Sequence, residues 1–119
     1  MTRINVGIPV EELTGPHLIA EHREIKRVPN LIRKGKYNMD GQPNEFKMGP
    51  GHVKFFYDKL KYLHIRYNQI YKECLRRGYN VADYNEAWDG VPDNLYNDYE
   101  PTTEGIKLIR QRITEKLSK

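Results

Sequence analysis

Between Val53 and Cys74 the apolar residues Val53, Phe56, Leu60, Leu63, Tyr67, Ile70 and Cys74 follow one another at steps of three or four. That is the period of an α-helix with one face turned to a core. It predicts a single long amphipathic helix over roughly 51–77. Gly78 closes it, and Arg76 and Arg77 in the last turn suit the negative end of the helix dipole. Cys74 falls on the buried stripe, so it reads as core and not as a nucleophile. A chain of 119 residues supports about one such core, so residues 1–119 read as a single domain.

The remaining segments supply partners for that helix. Residues 1–13 read as a short extended lead-in. Thr14-Gly15-Pro16 is a helix start, and HLIAEHREIKRV places Leu18, Ile25 and Val28 on one stripe. Pro29 should end or kink this helix near Val28, with Leu31-Ile32 adding a shorter turn. Residues 37–50 hold Gly41, Pro43, Gly49 and Pro50 and read as loop. Residues 79–102 are irregular and acidic, and Trp88 with several tyrosines should pin them to the core. A last helix spans about 103–117, with Ile106, Ile109, Ile113 and Leu117 facing inward. No strand alternation, internal repeat or low-complexity segment stands out. The expected architecture is all-α: three helices and a long packed loop.

Charge narrows the function classes. The net charge is +4, but 78–106 carries seven acidic residues and no Lys or Arg, leaving +11 on the rest. A basic face for a polyanion and an acidic face turned away from it would give this split. So would ordinary solvated surface, and charge alone leaves both open. No apolar run reaches membrane-spanning length, and the N-terminus lacks a signal-peptide pattern. One cysteine permits no internal disulfide, which fits a reducing, cytoplasmic setting. His17 and His22 are five apart and point to different helix faces, missing the zinc-protease spacings. Asp83-x-Asn85 with Asp89-Gly90 puts its glycine too late for a calcium loop, and no Asp or Asn occupies the fifth position. No metal or other cofactor is expected. Ser118 is the only serine, so an enzyme here needs an unusual nucleophile.

Thr2 offers one. Its small side chain permits removal of Met1, which leaves a free α-amino group. Such an amine has a pKa of about 7.7–8.0, so roughly a tenth is free base at pH 7. Amines of this kind attack carbonyl-like carbons to form Schiff bases. On the first helix, Arg23 and Arg27 are four apart and share a face suited to two phosphates of one strand. Glu24 sits between them. It either pairs with Arg27 at i,i+3 or serves as a general acid/base.

MTRIN, His17-Leu18-Ile19-Ala20-Glu21, Arg23-Glu24 and Arg27-Val28-Pro29 resemble the phage-type pyrimidine-dimer DNA glycosylases, also called endonuclease V. Gly49-x-Gly51-His52-Val53 with Phe55-Phe56-Tyr57-Asp58-Lys59-Leu60 is similar to the same family, as are Glu73 to Asn80, Asp98-Tyr99 with Pro101, and Arg112 with Glu115-Lys116. The resemblance runs in order through nearly the whole chain. It implies a bifunctional glycosylase and abasic-site lyase that needs no cofactor. Thr2 matches the nucleophile and Glu24 the catalytic carboxylate. Arg3, His17, Arg23, Arg27, Arg112 and Lys116 match DNA-contacting positions. The implied partner is double-stranded DNA with pyrimidine dimers or abasic sites, met as a monomer in the cytoplasm of a bacterial or phage-infected cell. Three features depart from the pattern. His22 stands where relatives carry an aromatic ring near the displaced base, segment 37–48 is shorter, and the sequence stops at Lys119 before an aromatic, basic tail. Tyr96 or Tyr99 would take over the aromatic role. Two other classes remain beside this one: a basic helical module that grips DNA without cutting, and a metal-dependent nuclease.

Overall fold

The structure, a computed structural model, describes residues 2–117, apart from the side chains of Lys116 and Leu117. It is all-α, with no strand among the described residues. Five helices follow in order: α1 (Gly15–Glu24), α2 (Arg27–Arg33), α3 (His52–Phe55), α4 (Leu60–Arg76) and α5 (Thr103–Leu117). Short 3-10 turns lie at Val10–Glu12, Asn85–Trp88 and Asp93–Leu95.

The apolar stripe does form the core, but on two helices. α3 stops at Phe55 and α4 begins at Leu60. Gln42 explains the break. Its amide Nε2 donates to the carbonyls of Lys54 and Phe55, both at 3.2 Å, and to the Asp58 carboxylate at 2.9 Å. Those carbonyls would otherwise accept from helical N–H groups further along. At the start of α4, the Asn97 carbonyl accepts from the Tyr62 N–H at 3.2 Å, satisfying one of its orphan donors. Leu60, Leu63, Tyr67, Ile70 and Cys74 are all fully buried.

α1 packs across α4. The Thr14 hydroxyl accepts from the His17 N–H at 3.4 Å as its N-cap. The chain leaves α1 at Glu24, four residues before the end expected near Val28, and re-enters helix at Arg27. This restart places Pro29 in the first turn of α2. There its missing N–H costs nothing and no preceding carbonyl stands in its way.

The lead-in is part of the core. Ile4, Val6, Ile8, Val10 and Leu13 are buried. Their alternation is strand-like, yet no strand pairs with them, so side chains satisfy the backbone instead. His52 accepts from the Ile4 N–H at 2.9 Å, and the Tyr62 hydroxyl from the Gly7 N–H at 3.3 Å. Arg66 donates to the Ile8 carbonyl at 3.0 Å and Arg77 to that of Val10 at 3.2 Å. Gly7 has φ +69°, and a Cβ there would lie 2.5 Å from Cγ1 of Ile106 on α5. Only glycine lets α5 approach the segment this closely.

The acidic stretch is fastened as expected. Trp88 is buried, donates to the Leu60 carbonyl at 3.0 Å and stacks on His64 at 4.8 Å between centroids. The Tyr67 hydroxyl accepts from the Tyr84 N–H at 2.7 Å. Among the described residues, no helix is long and apolar enough to cross a membrane.

Candidate active site and nucleic-acid interface

Three parts of the chain meet around the N-terminus. Thr2, Arg3, Met48, Gly49, His52 and Arg112 line a cavity of about 190 Å³. Thr2 and Arg3 come from the lead-in, Met48 to His52 from the loop into α3, and Arg112 from α5. Across from them, Arg27 of α2 donates from Nη1 to the Thr2 hydroxyl at 3.5 Å. Three guanidinium groups, those of Arg3, Arg27 and Arg112, thus converge on the first residues.

Glycines shape the loop wall. Gly51 has φ +91°, and a Cβ on it would lie 3.0 Å from Pro43 Cγ. That left-handed turn starts α3 and presents His52 to the lead-in. The His52 ring is buried. Its Nε2 accepts from the Ile4 N–H, and its Nδ1 lies 2.9 Å from the Lys47 carbonyl. A carbonyl can only accept, so Nδ1 carries the proton and the ring is neutral. Burial lowers the His52 pKa below its ordinary value, against the pull of the Lys47 carbonyl, and Arg3 adds to the lowering.

A second tie lies deeper. Glu21 of α1 is fully buried and holds the Arg66 guanidinium of α4 through both carboxylate oxygens. The same carboxylate accepts from Asn5 Nδ2 at 2.7 Å. A buried ion pair therefore fixes the lead-in to α1 and α4.

The expected site residues divide into groups. Thr2, Arg3 and Arg112 share the cavity, and Arg27 touches Thr2. Arg23 and Glu24 sit together at the C-terminal end of α1. The carboxylate is mostly buried and accepts from Arg23 Nη2 at 3.3 Å, so it pairs with Arg23 and not with Arg27. The expected shared face of Arg23 and Arg27 is divided between α1 and α2. His17 is half-buried in the first turn of α1 and does not line the cavity. Lys116 continues α5 beyond Arg112, but its side chain lies outside the described residues.

His22 is not at the cavity. It is buried against Tyr67, Tyr71 and Tyr84 with ring centroids 5.0–6.1 Å away, and its Nε2 is 3.1 Å from the Tyr67 hydroxyl. Burial lowers its pKa. Tyr96 and Tyr99 do not line the cavity either; Tyr96 bonds His64 at 2.9 Å and Tyr99 packs on Phe55 and Tyr62. Sequence reasoning assigned no role to His52, Met48 or Gly49. The Gly49-x-Gly51-His52 pattern was the available signal. Among the described residues, no group of three or more His, Cys, Asp or Glu side chains is placed to hold a metal ion.

Chemically, the cavity can take an anion between cations beside the chain's second residue. The family model for pyrimidine dimer DNA glycosylase matches residues 1–86, more than two thirds of the sequence. The chain belongs to that family.

Proposed function

We propose that this member of the pyrimidine dimer DNA glycosylase family uses the Thr2 amine as nucleophile and is also an abasic-site lyase. The observation that carries the reading is Thr2 in the wall of a cavity with Arg3 and Arg112, its hydroxyl bonded to Arg27. The reading takes residues 1–119 as one working unit and requires Met1 to be removed.

The free-base amine attacks C1′ of the damaged nucleotide. The glycosidic bond breaks, and its electron pair leaves with the pyrimidine, which is protonated. The sugar ring opens to a protein–DNA imine. Loss of a proton from C2′ then drives β-elimination, the C3′–O bond breaks, and the strand is cut 3′ to the site. Water hydrolyses the imine and frees the amine. Glu24 is the acid/base for these transfers. Its carboxylate pairs with Arg23 at 3.3 Å. Arg3, Arg23, Arg27 and Arg112, with His17 and Lys116, hold phosphates of the duplex. The lesion is unstacked at a cost of about a few kcal/mol, least where the base is already damaged.

Glu24→Gln tests the assignment. It should bind a dimer-containing duplex as the wild type does while losing about a hundredfold or more in strand cleavage. Unchanged cleavage would remove Glu24 from the mechanism. The binding-module reading predicts no cleavage from the wild type at all, on dimer or abasic DNA.

A further inference from the structure

We infer that His52 is a positioning residue for the Thr2 amine: its neutral imidazole clamps the Ile4 amide and so fixes where the first residues of the chain point. The inference rests on the imine reading above and adds the part that aims the nucleophile.

Three observations carry it. The Ile4 N–H is donated at 2.9 Å to Nε2 of a residue 48 positions away, and Ile4 is two residues from Thr2. The next side-chain ties fall further along, at Asn5 and Gly7. His52 also lines the same cavity as Thr2. The ring itself has little freedom. Lys47 holds Nδ1 at 2.9 Å, and Phe46 and Phe56 stand edge-on at 5.3 and 5.5 Å. A flexible N-terminus bearing a nucleophile must be held in a near-attack geometry to react fast. Arg27 bonds only the Thr2 hydroxyl, at 3.5 Å, which leaves the backbone to be fixed from Ile4.

The clamp works in one protonation state. With Nδ1 turned to a carbonyl, only neutral Nε2 can accept from Ile4. A second proton would set an Nε2–H against the Ile4 N–H, donor against donor. The groups facing the ring are the Lys47 carbonyl, the Arg3 guanidinium and the Glu21 carboxylate. Arg3 opposes a positive charge on the ring; Glu21 favours one but is already bound to Arg66 and Asn5. The clamp is therefore closed at neutral pH and opens as pH falls. Imine formation should carry an acid limb beyond the one that protonation of the amine produces.

The experiment measures single-turnover borohydride trapping on an abasic duplex across pH, for Met-processed wild type, His52→Phe and His52→Gln. Affinity for a duplex with a tetrahydrofuran abasic analogue and amide exchange at Ile4 are read alongside. His52→Phe fills the ring's space without the acceptor. It should slow trapping by about tenfold or more, speed Ile4 exchange, and leave affinity within about twofold. His52→Gln, whose amide oxygen accepts, should regain most of the rate and lack the added acid limb. A His52→Phe protein that traps at the wild-type rate and pH profile overturns the inference and leaves the imine reading standing. If His52→Phe does not fold, an acid limb in His52→Gln identical to the wild type's overturns it. No adduct from the wild type removes the imine reading, and the inference with it.

Discussion

Replacing Glu21 by Gln would leave the Arg66 guanidinium buried without its counter-charge. In the native fold the Glu21 side chain is 1% exposed and that of Arg66 5%, so water reaches neither. Removing one partner of such a pair costs about 3–5 kcal/mol, because the other charge stays desolvated and unpaired. Only neutral acceptors, among them the Ile8 carbonyl at 3.0 Å from Nη1, would then face Arg66. A chain of 119 residues unfolds with about 6–18 kcal/mol in all, so this loss is a large share. An unfolding entropy near 2.1 cal/mol/K per residue gives about 250 cal/mol/K for the chain, and hence a fall in Tm of about 12–20 °C. Circular dichroism at the helix band during heating reads it directly. The double variant Glu21→Met with Arg66→Met should recover part of the loss, since an apolar pair buries no charge, while Asn5 Nδ2 and the Ile8 carbonyl each lose a partner. A Glu21→Gln protein melting within about 4 °C of the wild type, equivalent to about 1 kcal/mol, would refute the buried-pair argument.

Other consequences are independent of that pair. His22 and His52 both have pKa values lowered from 6.5 by burial, so the unfolded chain takes protons there that the folded chain refuses. Stability should be full above that value and fall as pH drops below it, by up to about 1.4 kcal/mol per pH unit for each imidazole; equal urea midpoints at about pH 7.5 and about pH 5.5 would contradict this. Gln42→Leu removes one donor from the Lys54 and Phe55 carbonyls and from the Asp58 carboxylate, and should lower the urea midpoint by an amount equal to about 1–3 kcal/mol. Gly7→Ala forces a Cβ against Ile106 at positive φ and should destabilise by more than about 1 kcal/mol in the same assay. Arg112→Ala should lower the magnitude of the salt slope of DNA affinity by about 0.9, the share of one phosphate contact.

The all-α class and the buried stripe were legible because spacing alone reports them. Val53 to Cys74 could face a core only on helix, and Leu60 to Cys74 do so. The break at 56–59 was not legible, because it depends on Gln42, a polar side chain from a loop distant in sequence. The end of α1 was misplaced for a related reason: a proline marks where a helix cannot run on, and a restart two residues before it serves equally well. The lead-in carries an alternation of Ile4, Val6, Ile8 and Val10 that the sequence reading missed. What the sequence hid was that single side chains from α3 and α4, and not a neighbouring strand, receive its backbone. At the site, Thr2, Arg3 and Arg112 were found from motifs, and the cavity brings them together. Arg23 and Glu24 form a separate pair on α1. His52 was visible within a motif, but its role appears only when Ile4 is seen beside it. His22 is buried among tyrosines, away from the cavity; its place four after Leu18 and three before Ile25 put it on the buried stripe, a signal the sequence reading did not use.

The central claim is that the Thr2 amine becomes covalently joined to DNA. The direct measurement is borohydride trapping of Met-processed protein on a duplex carrying one cyclobutane thymine dimer, in excess chelator, with the cross-linked peptide sequenced. The account predicts an adduct whose peptide begins at Thr2, and none from protein that retains Met1. Strand cleavage with no trapped adduct, or an adduct on a lysine with Met1 still in place, would contradict it.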